Sequence, residues 1–111
     1  AQSLARVVKG EALTLKQAQT RRFDVLIQAT PVGMMPNANE SLFMDTIPAK
    51  IVLDMVYNPQ ETLLLKRAKA QGCLTIPGAE MLLEQAVSQF EIWTGESAPR
   101  DVMRSALESH L

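Results

Sequence analysis

Phe23-Asp24-Val25-Leu26-Ile27 reads as a buried strand, and Gln28-Ala29-Thr30-Pro31-Val32-Gly33-Met34 stops it abruptly. Pro lacks the N–H that a strand ladder needs, and Gly admits backbone conformations closed to other residues. A small hydroxylated residue, Thr30, is thereby left at the C-terminal end of a strand, ahead of a loop whose backbone is open to a ligand. In open α/β sheets, ligands bind at that edge. The feature narrows the chain to folds whose strands end together at a crevice.

The rest of the pattern agrees. Ile51-Val52-Leu53-Asp54-Met55-Val56 is a second buried strand, without the alternation of a one-sided sheet. Tyr57-Asn58-Pro59-Gln60 is a turn, and Glu61 or Thr62 opens a helix that ends at Gly72. That helix has Glu61 in its first turn and Lys66, Arg67 and Lys69 towards its last, matching the helix dipole. Leu64, Leu65 and Ala68 form its buried stripe. Cys73-Leu74-Thr75-Ile76 is a short third strand stopped by Pro77-Gly78. A long helix follows from about Ala79 to Trp93 and ends at Gly95; Pro99 suits the first turn of a last helix with Val102, Met103, Ala106 and Leu107 on one face. Residues 31–49 form a long loop anchored by Leu42, Phe43 and Ile47. Upstream, Ala1 to Val8 has helical spacing, with Gly10 as C-cap beyond Lys9. Ala12 to Leu15 reads as a short strand, and Lys16 to Arg22 as a polar connector or a single helical turn.

Strand, crossover, strand, helix, strand, helix is the rhythm of a parallel, doubly wound α/β sheet. Right-handed crossovers carry Thr30, Tyr57 and Gly78 to one edge, since each follows the C-terminal end of a strand. With 111 residues, 47% of them apolar, the chain makes one modest domain or part of one. A helix entered midway at Ala1, with no initiator Met, reads as a piece of a longer polypeptide; the alternative is a chain trimmed at a disordered end. The net charge of −1, with acids and bases interspersed, gives no reason to expect a nucleic-acid partner. No apolar run reaches the roughly 20 residues needed to span a bilayer. The one cysteine fits a reducing cytosol, and no leader pattern opens the sequence, so a cytoplasmic location is expected.

Gly78, Met81 and Gln85 stand three and four apart, which puts them on one side of a helix beginning near Ala79. Gly78 would let the backbone approach a flat ring or a carboxamide, and Met81 offers a soft apolar contact. Gln85 carries both donor and acceptor for a hydroxyl or carboxylate. On spacing alone the favoured alternative is Met81 in the core and Gln85 in solvent. Leu82, Ala86, Phe90 and Trp93 read as a packing stripe, and Glu80, Glu84 and Glu91 as a solvated face. Thr30 either bonds a ligand or closes an ST-turn. Tyr57 either offers its phenol to a substrate or caps the sheet. Asp54 is too deep for chemistry and is expected to satisfy backbone N–H groups in the crossing loops. Cys73 is a small buried hydrophobe, and His110 a frayed surface residue. The sequence offers no metal-ligand cluster, no nucleophile–base pairing and no Gly-rich phosphate loop, so catalysis is not built from these residues alone.

These residues resemble the shikimate dehydrogenases, specifically the C-terminal part of their NADP-binding domain. Ala29-Thr30-Pro31-Val32-Gly33-Met34 resembles the loop after the family's fourth strand, and Asp54-Met55-Val56-Tyr57-Asn58-Pro59 with Thr62 its Asp-x-x-Tyr-Asn-Pro segment. Gly78 to Gln85, including Met81-Leu82, is similar to the Gly-x-x-Met-Leu-x-x-Gln start of its penultimate helix, and Phe90 to Gly95 to that helix's end. The resemblance runs over essentially the whole chain and implies an enzyme that reduces 3-dehydroshikimate to shikimate with NADPH, in aromatic amino-acid (chorismate) biosynthesis. It implies that Thr30 lines the cofactor crevice, that Met55 and Gly78 contact the nicotinamide end with Met81 packing beside it, and that Tyr57 and Gln85 contact shikimate. Gln28 departs from the Asn often found before Ala-Thr in the family, so that residue's hydrogen bonds are not carried over.

The family's catalytic Lys and Asp belong to an N-terminal substrate domain without counterpart here. The pyrophosphate loop and the readers of the 2′-phosphate would likewise precede Ala1. The expected fold is therefore a Rossmann-like parallel sheet fragment, strands 3 to 6 of the order 3-2-1-4-5-6, with C-terminal helices. Residues 1 to about 78 would be the sheet portion, and about 79 to 111 helices turned toward the substrate domain. No measurable shikimate oxidation by the isolated chain is expected. With strands 1 and 2 absent, either Ala12 to Leu15 re-pairs, a partner chain supplies strands, or an edge stays open, so self-association is expected. The alternatives are a quinate/shikimate dehydrogenase with another cofactor preference and a non-catalytic Rossmann-like binding module.

Overall fold

Three strands, β1 (Phe23–Gln28), β2 (Ala49–Asp54) and β3 (Leu74–Ile76), run parallel in the order β1-β2-β3 in a computed structural model that describes all 111 residues. The register aligns Val25 with Ile51 and Leu74, Leu26 with Val52 and Thr75, and Ile27 with Leu53 and Ile76. Parallel strands need a crossover, and α3 (Leu63–Ala70) supplies the one between β2 and β3. Its N-cap is Thr62, whose hydroxyl accepts from the Leu65 N–H at 3.3 Å.

Leu64, Leu65 and Ala68 face inward as the periodicity requires, and join Val52, Ala49, Phe43 and Ile47 in one core. Phe43 and Ile47 come from the long loop between β1 and β2, which is packed rather than free. The Gln71 side chain holds that loop by its backbone, accepting from Ile47 N at 2.8 Å and donating to Ile47 O at 2.7 Å. The opposite sheet face is less covered: Val25, Ile27, Leu74 and Ile76 are all exposed there.

The N-terminal segment departs from what its sequence pattern suggests. Ala12 to Leu15 forms no strand, so the sheet has three strands and not the four expected. Thr14 instead caps α2 (Leu15–Gln19): its hydroxyl accepts from Gln17 N at 3.1 Å while Gln17 Oε1 accepts from Thr14 N at 2.8 Å. This reciprocal capping box satisfies two backbone donors locally, and no neighbouring strand competes for them. Before it, α1 (Gln2–Val7) buries no residue and is capped by Val8, with the left-handed turn at Lys9 (φ +55°) and not at Gly10.

Two helices close the chain, α4 (Gly78–Thr94), ended by Gly95, and α5 (Arg100–Glu108), with Pro99 at its N-cap. The buried positions of α4 are Gly78, Leu83 and Val87. The expected stripe of Leu82, Ala86, Phe90 and Trp93 is thus one residue out of phase: the first three are half-buried and Trp93 is 78% exposed. The acidic residues of α4 are not simply solvated either. Glu80 pairs with Arg104 through two bonds of 2.6 and 2.9 Å, Glu84 pairs with Arg100, and Glu91 Oε1 accepts from Ala98 N at 3.2 Å. On α5, Met103 and Leu107 are half-buried while Val102 and Ala106 are exposed, so polar contacts carry much of the α4–α5 attachment. No helix is long and apolar enough to cross a membrane.

Candidate functional site

Beyond the C-terminal ends of β1 and β2 lies an open cleft of about 350 Å³, lined by Ala29, Thr30, Pro31, Met34, Met35, Met55, Val56, Tyr57 and Asn58. Its two walls are the loops that leave the two strands. Pairing continues one step past the strands, where Met55 N donates to Gln28 O at 2.9 Å. The loops meet again where Met35 N donates to Asn58 O at 3.1 Å.

Gln28 points inward and is 3% exposed. Its Oε1 accepts from Thr30 N, and its Nε2 donates to Val32 O at 3.0 Å and to Asp54 Oδ1 at 3.3 Å. Thr30 closes the ST-turn, accepting from Val32 N at 3.3 Å, and also lines the cleft. The two readings of Thr30 are therefore compatible, because the hydroxyl keeps its own hydrogen to donate. Gly33 turns the loop back with φ +87°, and a Cβ there would stand 3.1 Å from the Glu40 carbonyl oxygen.

Asp54 is fully buried and serves the loops as expected. Oδ1 accepts from Val56 N at 3.0 Å, and Oδ2 accepts from the Thr62 hydroxyl at 2.6 Å. Burial pushes its carboxyl above the usual aspartate range, and the bonds from Thr62, Val56 and Gln28 work against that rise.

The cleft brings together Thr30, Met55 and Tyr57, three of the residues singled out from the sequence. Gly78 abuts it from α4: a Cβ there would stand 2.6 Å from Met55 O, 2.7 Å from Val56 O and 2.8 Å from Asp54 O. The glycine is thus required by the packing of α4 on the exit of β2, whatever ligand the cleft holds. Met81 is half-buried and Gln85 exposed, and neither lines the cleft. Met34, Met35 and Asn58 line the cleft as well, beyond the residues singled out from the sequence. The adjacent thioethers in a loop that must face the crevice were the available signal.

Chemically, the thioethers of Met34, Met35 and Met55 and the Tyr57 ring offer soft apolar surface, while Thr30, Tyr57 and Asn58 add hydroxyl and amide groups. Such a lining suits a flat, partly polar ring. No group of three His, Cys, Asp or Glu side chains is placed to hold a metal ion. A second depression of about 260 Å³ between α3, β3, α4 and α5, rimmed by Glu61, Lys69, Glu80 and Glu108, contains none of the candidate residues.

The family model described as Shikimate 5'-dehydrogenase C-terminal domain matches residues 78–108. The shikimate dehydrogenase (NADP(+)) of Desulforamulus reducens is 45% identical over 91 residues, which span 79% of this chain and 31% of that protein. The shikimate 5-dehydrogenase of Thermus thermophilus, solved in complex with NADP(H) and shikimate, is similar with a TM-score of 0.83 at 32% identity, over 100% of this chain and 42% of that one. The quinate dehydrogenase of Corynebacterium glutamicum, solved in complex with NAD, gives a TM-score of 0.77 at 33% identity, over 98% of this chain and 41% of that one. The chain spans about a third of the length of the curated relatives it matches.

Proposed function

The chain belongs to the shikimate dehydrogenase family, matching its C-terminal part, and on that premise we propose that it forms one wall of the cofactor and substrate cleft of an NADP-dependent shikimate dehydrogenase. The reaction is reduction of 3-dehydroshikimate to shikimate, a step of aromatic amino-acid biosynthesis. The observation that carries this reading is the convergence of Thr30, Met55 and Tyr57 on one cleft at the strand ends.

The lining fits a nicotinamide dinucleotide. Bound NADPH supplies the hydride. Met55 would lie against the nicotinamide end, with Met81, half-buried on α4 outside the cleft lining, beside it; Gly78 would bring the first turn of α4 close, and Thr30 has a hydroxyl hydrogen to donate to the cofactor. Tyr57, exposed in the cleft, would present its phenol to the substrate hydroxyls, and Gln85, exposed on α4 outside the cleft lining, would add its amide from there. Tyr57 is the only ionisable side chain among the lining residues, and proton transfer falls, on this reading, to the Lys and Asp that the family resemblance places in the substrate domain. The chain alone is therefore expected to bind without turnover.

Residues 1 to about 78 then serve as the sheet portion of the dinucleotide domain, and about 79 to 111 as helices directed at a substrate domain. The exposed Ile92 and Trp93 on α4 support that orientation. The uncovered aliphatic sheet face, with Val25 and Ile27 on one edge strand and Leu74 and Ile76 on the other, favours self-association of the chain by itself.

A second reading, a quinate/shikimate dehydrogenase that takes NAD, is favoured by the likeness to the Corynebacterium enzyme. One titration separates the two. The 111-residue chain is titrated with NADP, NAD, shikimate and quinate while Tyr57 and Trp93 fluorescence is followed. Saturable binding of NADP and shikimate without shikimate oxidation is expected. Preference for NAD and quinate would move the assignment to the second reading; no binding of either pair, or turnover by the chain, would overturn the proposal.

A further inference from the structure

We propose that Gln28 is a positioning residue, whose single buried amide sets the spacing between the two loops that wall the cleft. The inference rests on the reading above only in taking the cleft as a ligand site. A Gln amide has two N–H donors and one carbonyl acceptor. Here all three kinds of partner belong to the walls: Oε1 takes the Thr30 N–H, and Nε2 donates to Val32 O and to Asp54 Oδ1. The first two partners lie in the loop leaving β1. The third lies on β2, and the same Asp54 oxygen accepts from Val56 N, next to Tyr57.

Register makes this possible. Gln28 and Asp54 are paired across the parallel ladder, so their side chains emerge on the same face. Both are essentially excluded from solvent, so water cannot substitute for either partner. The backbone N–H groups of Thr30 and Val56 are thus connected through Gln28 and Asp54, independently of the direct backbone bonds between the loops.

Side-chain length separates the local role from the bridging one. Asn is shorter by one carbon–carbon bond, about 1.5 Å. It can still accept from the N–H two residues on, as Asx-turns do. Once its carbonyl is held to the Thr30 N–H, its shorter amide is not expected to span Val32 O and Asp54 Oδ1 together as Gln28 does. Gln28→Asn therefore keeps the turn and removes the bridge, whereas Gln28→Leu removes both.

The test uses the 111-residue chain labelled with ¹³C at the methionine methyls. In Gln28→Asn, the resonances of Met34, Met35 and Met55 are expected to shift while those of Met81 and Met103 stay. NADP affinity is expected to fall about fivefold, the effect of one net hydrogen bond. A purely structural role would lower the unfolding midpoint and leave the methyl pattern of the folded chain in place. Unmoved cleft methyls, or shifts spread equally to Met81 and Met103, would overturn the proposal. Should Gln28→Leu fail to fold, Gln28→Asn still decides. If the wild-type chain binds no dinucleotide, the functional reading fails, and the methyl pattern alone passes judgement on Gln28.

Discussion

A Cβ at Gly78 would stand 2.6 Å from the Met55 carbonyl oxygen, closer than real side chains come to backbone. Helix propensity alone favours Ala over Gly by about 1 kcal/mol. Here the sign reverses, because the obstacle is a run of three strand-exit carbonyls and not the movable end of a side chain. Gly78→Ala is expected to cost about 1–3 kcal/mol in denaturant unfolding, as overpacking does. The Met55 methyl resonance should move with it. A variant as stable as the wild type would contradict this packing of α4 on β2.

Asp54 sets a pH dependence of unusual sign for a carboxylate. Its folded value lies above the ordinary 3.8, chiefly because burial disfavours the charge. The folded chain therefore holds this proton more tightly than the unfolded chain. The contribution is fully present below the ordinary value and is lost as pH rises through the raised one. Asp54→Asn removes the titration, so the stability of wild type relative to the variant should decline from acid to neutral pH. Urea midpoints across that range measure it, and a rising difference would refute the assignment.

Glu80 behaves in the opposite sense. The Arg104 guanidinium hydrogen-bonded to it holds its carboxyl below the ordinary 4.5. The contribution is present above that value and disappears as pH falls through the depressed one. Since α5 has no fully buried residue, its attachment should loosen at acid pH and at high salt. Hydrogen exchange of the α5 amides reads this directly. In Glu80→Gln the protection of these amides, taken relative to the intrinsic exchange rate at each pH, should already be low at neutral pH and change little on acidification.

Leu83 and Trp93 test the phase of α4. Leu83 is 2% exposed, and Leu83→Ala is expected to cost about 2–5 kcal/mol for the lost burial and the cavity left behind. Trp93→Ala should change stability by no more than about 0.5 kcal/mol, as for other exposed positions. Equal losses from the two variants, in thermal or denaturant unfolding, would restore the stripe expected from the sequence.

Local chemistry made much of this chain readable. The strand exits at Gln28 and Pro77 and the end of α4 at Gly95 are written in residues whose backbone preferences act without distant partners. So is the α3 stripe of Leu64, Leu65 and Ala68, where a period of 3.6 and burial coincide. Thr30, Tyr57 and Gly78 could be brought to one edge because each follows the C-terminal end of a strand and parallel strands with right-handed crossovers leave no other arrangement.

What the sequence could not decide depends on partners far along the chain. Ala12 to Leu15 has strand-like composition, but a strand exists only against a neighbour, and Thr14 found its partner in Gln17 instead. The rotation of α4 follows from the contact of Gly78 with the carbonyls of 54–56, which no helical period contains. Glu80 and Glu84 looked solvated because Arg104 and Arg100 stand 24 and 16 residues away. Gln28 and Asp54, 26 residues apart, become one hydrogen-bonded unit only when β1 and β2 come into register. The residue types at the cleft were determined by the sequence alone; which of them touch, and what holds its walls, was decided by the tertiary structure, because burial makes each polar group depend on the partner that the fold delivers.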